Sequence, residues 1–309
     1  MVSWVKPPAL QPGDLVGVCA PGGPVESAAL ERGCQALRQL GFEVRVAPGT
    51  SARTRFTAGD AGTRRADLEV LFADDQVKAV ICARGGAGTL GILRGLDAEL
   101  LRTHPKILVG YSDITVLHLL LNQLGLVTFQ GPMVARELAT GAFDRPSFLA
   151  ALTGQGAPFA TEPDDLLPIR AGAAEGVLRG GCLSLLAAAC GTPWAFSTGG
   201  EDTLLFLEDL DEAPYRVDRL LSQLREAGAF ENVRGIVFGD MKGCSPSVND
   251  DYGLEEVLLS ALEGLDVPIA LGLSSGHTSS PLITLPFGVR ACLDVAESAG
   301  FRVLEPAVS

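Results

Sequence analysis

The feature that most restricts this chain is an alternation running to about residue 135, in which short apolar runs are followed by longer stretches of helical periodicity. LVGVCAP (15–21), FEVRVAP (42–48), AVICARGG (79–86) and KILVGYSD (106–113) read as buried strands. Between them, SAALERGCQALRQLG and TRRADLEVLFAD carry apolar residues at helical spacing. Apolar strands that alternate with helices predict a doubly wound, mostly parallel sheet with helices on both faces. In such sheets, ligands gather where strands end and helices begin.

Residues 141–175 break the pattern, combining a short helix with a loose Pro, Gly and Asp stretch. The predicted organisation is therefore an N-terminal α/β domain over residues 1–145, a linker over 146–175 and a smaller, more irregular C-terminal α/β domain over 176–309. The second unit reads as a helix at LSLLAAAC, a strand at TLLFLED, an amphipathic helix at YRVDRLLSQLREAG, a strand at VRGIVFGD and a helix at LEEVLLSALEGL. Short strands follow near PIALGL, ITLPFG and VRACLDV. No internal repeat and no low-complexity segment is seen.

Composition narrows the function classes. With 24 Lys plus Arg against 37 Asp plus Glu, the net charge of −13 argues against a broad surface that grips nucleic acid or anionic lipid. The seven cysteines (Cys19, Cys34, Cys82, Cys182, Cys190, Cys244, Cys292) are scattered, mostly in apolar runs and never as CxxC. They are expected to be reduced, buried thiols of a cytoplasmic protein. Three histidines without HExxH or CxxC leave no expected metal site. The opening MVSWVKPPALQPGD has prolines in place of a signal core, and no stretch approaches the ~18 apolar residues of a membrane span. Neither an exported nor a membrane protein is expected.

Four segments could carry chemistry. In GYSDIT (110–115) an apolar strand delivers Gly110 and a helix starts directly after Ser112. That is the layout of a nucleophile elbow, although Ile114 stands where GxSxG has glycine. Ser112 or Asp113 capping the helix accounts for the same residues. In ARGGAGTLG (83–91), Gly86, Gly88 and Gly91 spell GxGxxG after a strand, and Asp113 falls 22 residues later. A dinucleotide site is one use of these glycines. A tight turn that turns backbone amides toward Ser112 is another, and a turn with no ligand is a third.

In LFLEDLDEAPYRVDR (205–219), Asp211 and Glu212 are expected from a helix entrance, whereas Glu208 directly follows LLFL. A carboxylate at the mouth of a buried strand needs a partner. In LSSGHTSSPLITLPFG (273–288), His277 sits in a Gly and Ser loop with no packing role. Alone it reads as a solvated histidine; with Ser112 and Glu208 it completes a nucleophile, base and orienter. His104, before a proline, and His118, on the helix after the elbow, look structural.

Taken together, these segments resemble the LD-carboxypeptidase family of serine peptidases, whose relatives include the microcin-immunity amidases. The resemblance covers almost the whole chain and rests on VCAPGGPVE, ARGGAG with GLD, PKILVGYSDIT, FQGPM, GGCLSLL with CGTPW, LFLEDLDEAPYRVDRLLSQL and the GH of SSGHTSSPLITLPFG. It implies Ser112 as nucleophile, Glu208 and His277 as the rest of the triad, and the amides of Gly86, Ala87 and Asp113 around the oxyanion. One departure is visible: the family loop commonly reads GGYG, and Ala87 replaces its aromatic residue. The amide survives that change, while the pocket is expected to widen.

The resemblance further implies acyl transfer without a cofactor, a murein tetrapeptide cut before its terminal D-alanine, and a homodimer. A substrate with a free carboxylate needs a cation; Arg84, beside the glycine loop, is one candidate, and Arg216 and Arg219 are others. The alternatives are an amidase acting on a peptidyl or acyl-adenylate-like amide, and a nucleotide-dependent oxidoreductase built on GAGTLG and Asp113. A two-domain peptide-binding protein is a further rival, disfavoured by the expected lack of a signal peptide.

Overall fold

The computed structural model describes residues 3–156, 158–162 and 165–309. Met1 and Val2 of the N-terminal stretch, and Ala157, Pro163 and Asp164 of the stretch read as a linker, lie outside the described residues. The first sheet takes β1 (Leu15–Cys19), β2 (Glu43–Val46), β3 (Val77–Cys82), β4 (Ile107–Gly110) and β5 (Thr128–Gln130), all paired in parallel. The second contains β6 (Leu167–Arg170), β7 (Gly172–Cys182), β8 (Thr203–Glu208), β9 (Val233–Gly239) and β10 (Ile269–Leu273). The chain then forms β11 (Leu285–Phe287), β12 (Arg290–Val295) and β13 (Ala299–Val303).

The α/β class and its two sheets are as the sequence predicts, one mostly parallel and one mixed. The strand orders are β11-β5-β4-β3-β1-β2 and β13-β12-β7-β8-β9-β10-β6. All of β4 and all of β8 are buried, as strands covered on both faces must be. Helix Ser27–Gln39 buries Leu30, Gly33, Cys34 and Leu37 on one stripe, and helix Pro214–Glu226 buries Val217, Leu221 and Leu224. Proline at the start of the latter lacks only an N–H that would have no helical partner there.

Two placements differ from expectation. The ITLPFG segment, expected among the strands of the second unit, instead supplies β11 to the edge of the first sheet, antiparallel to β5 with Leu285 opposite Gln130. The window expected to be a linker holds, besides the short helix expected there (Arg145–Thr153), all of β6 and the opening of β7. The sheets are also stitched together: the Thr115 hydroxyl, on the helix after the elbow, accepts from the backbone N–H of Cys182 at 3.0 Å. None of the helices among the described residues is long and apolar enough to cross a membrane.

The close pass of β7 beside β8 depends on Gly180. Its φ is +145°, and a Cβ there would run into the carbonyl oxygen of Phe206. Gly180→Ala is expected to cost more than about 3 kcal/mol, beyond the usual range for one substitution. Urea unfolding measures it, and a wild-type midpoint would mean that the strands can separate freely at this point.

Candidate active site

Ser112 stands just beyond the carboxyl end of β4, at the start of a short turn (Ser112–Ile114) that runs into helix Thr115–Gln123. Its φ is +63°, in the left-handed region that non-glycine residues rarely occupy. Arg55, Asp211, Asn232 and Met241 share that region, but only Ser112 among these five combines it with a sharp strand-to-helix turn, the layout of a nucleophile elbow. The apolar anchors on either side, buried β4 and the buried face of the helix, hold the serine in this conformation.

The glycine loop after β3 closes against the elbow. A Cβ on Gly85 would sit 2.9 Å from the Ser112 Cβ and 3.2 Å from both Ser112 Oγ and the Asp113 backbone nitrogen, so only glycine fits. Gly85 also accepts a hydrogen bond from Gly23 N–H at 2.6 Å, which braces the loop on the turn after β1. Gly86 and Ala87 follow in exposed positions. The Asp113 carboxylate lies on the other side, where Oδ2 accepts from the Thr89 N–H (2.9 Å) and hydroxyl (2.6 Å). A protein carboxylate thereby occupies the Thr89 amide that a pyrophosphate would need, and the helix after it, Leu90–Leu93, is a single turn. Both features count against the dinucleotide use of GAGTLG.

Glu208 is the last residue of β8 and is fully buried. Its Oε2 accepts two hydrogen bonds from one residue: the His277 backbone N–H at 2.9 Å and the ring Nδ1 at 2.8 Å. The carboxylate thus fixes the tautomer, with Nδ1 as donor and Nε2 free to accept a proton. A Cβ on Gly276, whose φ is +80°, would collide with the Glu208 carboxyl, so the loop can approach only with glycine there. The loop is closed at its base by Ile283 N–H to the Ser274 carbonyl (2.8 Å). At its tip, Asp240 accepts from the Thr278 hydroxyl (2.6 Å) and the Ser279 N–H (3.0 Å).

The structure brings the elbow and the Glu208–His277 pair together through Tyr111. Its ring meets the His277 ring edge-on, with centroids 5.1 Å apart and planes at 77°. Its hydroxyl donates to Glu137 Oε1 at 2.8 Å. Burial raises the Tyr111 pKa well above the ordinary phenol value and the Glu137 charge raises it further, so the donor is permanent. Ser112 Oγ is not hydrogen-bonded to His277 here, as is common before a substrate closes a catalytic site. Burial pulls the His277 pKa down, but the hydrogen bond and charge of Glu208, with Asp209 behind it, outweigh this and raise it above the ordinary value.

A cleft of about 330 Å³ opens at this point, lined in part by Tyr111, Arg136, Glu137, Lys242 and His277. Sequence reasoning missed Gly85, Tyr111 and both cations. Gly85 and Tyr111 flank motifs already singled out, and their neighbours in the chain were the available signal; nothing marked Arg136 or Lys242. Arg84 is exposed and donates to the Pro24 carbonyl (2.9 Å), Arg216 pairs with Glu212, and the Arg219 guanidinium lies over the Tyr215 ring, 5.5 Å from its centroid. None of the three lines this cleft. His118 is fully buried and bonded to the Gly110 carbonyl at 2.9 Å; burial lowers its pKa to about 4, so it stays neutral behind the elbow. Among the described residues, no cluster of three or more His, Cys, Asp or Glu could hold a metal.

Comparison with known proteins matches residues 16–131 to the LD-carboxypeptidase N-terminal domain and residues 175–293 to the C-terminal domain of that family. A probable murein peptide carboxypeptidase of Bacillus subtilis is 39% identical, over 98% of this chain and 95% of that protein. Among solved structures, the muramoyltetrapeptide carboxypeptidase of Oxalobacter formigenes aligns with a TM-score of 0.82 at 32% identity, covering 94% of this chain and 99% of that one. An MccF-like protein of Bacillus anthracis aligns with a TM-score of 0.86 at 28% identity, covering 97% and 99%.

The raised His277 pKa gives a direct check. Followed by NMR, the imidazole should titrate above the ordinary ~6.5, and Glu208→Gln should lower the midpoint. By linkage, a raised folded-state pKa adds stability below the unfolded value that is lost as pH climbs through the folded one. A midpoint that Glu208→Gln leaves in place would show that another group controls the ring.

Proposed function

Since the chain belongs to the LD-carboxypeptidase family and is a hydrolase of peptide or amide substrates, we propose that it is a serine-type LD-carboxypeptidase that releases the terminal D-alanine of murein tetrapeptide during recycling of cell-wall peptides. The observation that carries the reading is the buried Glu208 carboxylate on His277 Nδ1, 2.8 Å away, with the His277 ring against Tyr111, the residue before a serine at φ +63°.

Neutral His277, held by Glu208, takes the Ser112 proton through Nε2 as Oγ attacks the scissile carbonyl. The tetrahedral oxyanion is bound by backbone amides of Gly86, Ala87 and Asp113, each donor of this kind being worth about 10²- to 10³-fold in rate. Protonated His277 then passes its proton to the leaving amine, D-alanine departs, and water attacks the acyl-enzyme with His277 again as base. Because the base must be neutral, kcat/KM should rise with pH through the raised His277 pKa.

The likeness to an MccF-like protein favours a second reading, an amidase acting on a peptidyl or acyl-adenylate-like amide. Exposed Ala87 puts only a methyl group at the rim of the glycine loop, which suits a wider leaving group. The experiment is D-alanine release from tetrapeptide set against hydrolysis of such an amide, with wild-type and Ser112→Ala protein. Ser112→Ala should lower tetrapeptide turnover by at least about 10⁴-fold with the fold intact. Turnover by the alanine variant at the wild-type rate would remove Ser112 as nucleophile, and exclusive hydrolysis of the adenylate-type amide would favour the second reading.

A further inference from the structure

We infer that Arg136 is the residue that recognises the free carboxylate of the substrate, and so makes the enzyme an exopeptidase. This inference rests on the carboxypeptidase reading and names the specificity-determining group within that same site. The terminal carboxylate of such a substrate lies only one residue, ~4 Å, from the scissile carbon. Its cation must therefore stand beside the catalytic histidine.

Arg136 meets that condition. It lines the cleft together with Tyr111 and His277, and its charge opposes in small part the rise in pKa that each of them shows. Lys242 lines the same cleft and is the control for any cation there.

The backbone around Arg136 is built for presentation. Residues Val134–Leu138 form one wide π-helical turn, a form common at functional sites. The turn is pinned by Ala135 N–H to the Ala83 carbonyl at 2.9 Å, next to the glycine loop. Glu137 pins it again by accepting from the Tyr111 hydroxyl and from Met133 N–H (3.2 Å). Those bonds occupy Glu137, whose ion pair with Arg136 is long, Nε to Oε1 3.8 Å, and engages neither terminal nitrogen of the guanidinium. The Arg136 side chain is 52% exposed. The terminal nitrogens thus remain available for the bidentate fork that suits a carboxylate.

The test uses binding and turnover together. In the Ser112→Ala background, calorimetry would compare a murein tetrapeptide with its C-terminal amide. The acid should bind about tenfold or more tighter, as a charge-assisted hydrogen bond allows. Adding Arg136→Gln should abolish that preference, Arg136→Lys should restore part of it, and Lys242→Gln should keep it. In the active enzyme, Arg136→Gln should raise KM for the acid far more than it lowers kcat. Retention of the acid-over-amide preference in Arg136→Gln, or its loss only in Lys242→Gln, overturns the inference and leaves the carboxypeptidase reading standing. If Ser112→Ala protein, folded by circular dichroism, binds neither peptide, the tetrapeptide reading itself fails and the inference with it.

Discussion

Everything at this site depends on one carboxylate that has been taken out of water. Glu208 is 0% exposed, and burying an ionised group without partners costs many kcal/mol. Its relief comes through a single oxygen and a single residue, by way of the His277 backbone and ring N–H groups. The loop that carries His277 is therefore held where it is by the need to solvate a charge. The closed base at Ser274 and Ile283 and the Asp240 clamp at Thr278 and Ser279 reinforce that position. Eight residues past His277 the chain enters the first sheet as β11, so the same loop fixes the second unit against the sheet that delivers Ser112.

Much of this was legible in the sequence because it was local. Apolar runs marked β1, β3, β4, β8 and β9, and helical spacing marked the helices over 27–39, 61–73 and 214–226. The abrupt change from KILVG to a helix marked the turn at Ser112, and an acid directly after LLFL marked Glu208. What was hidden depended on distance in the chain. β7 begins GAAEG, with too little apolar content to read as a strand, and is a strand because β8 and β12 pair with it on either side. ITLPFG is apolar enough to be a strand, but no local signal says which sheet receives it.

The site residues divide in the same way. Asp113 was visible as an acid beside the nucleophile, yet its side-chain bonds to Thr89 show only in three dimensions. Gly86 drew attention through the GxGxxG spacing and Ala87 through the family resemblance, whereas Gly85 matters because the Ser112 side chain passes within contact of it. Arg136 belongs to no motif, and it reaches the cleft from a wide helical turn that sequence periodicity does not announce.

The φ of +63° at Ser112 has a consequence for how such a chain can change over time. Backbone strain of this kind costs of order 1–3 kcal/mol, and glycine is the residue that removes most of it. Selection for folding alone would thus favour glycine over serine at position 112. A serine here therefore holds the fold below the stability that glycine would give it, as Arg55, Asp211, Asn232 and Met241 do at their own left-handed positions.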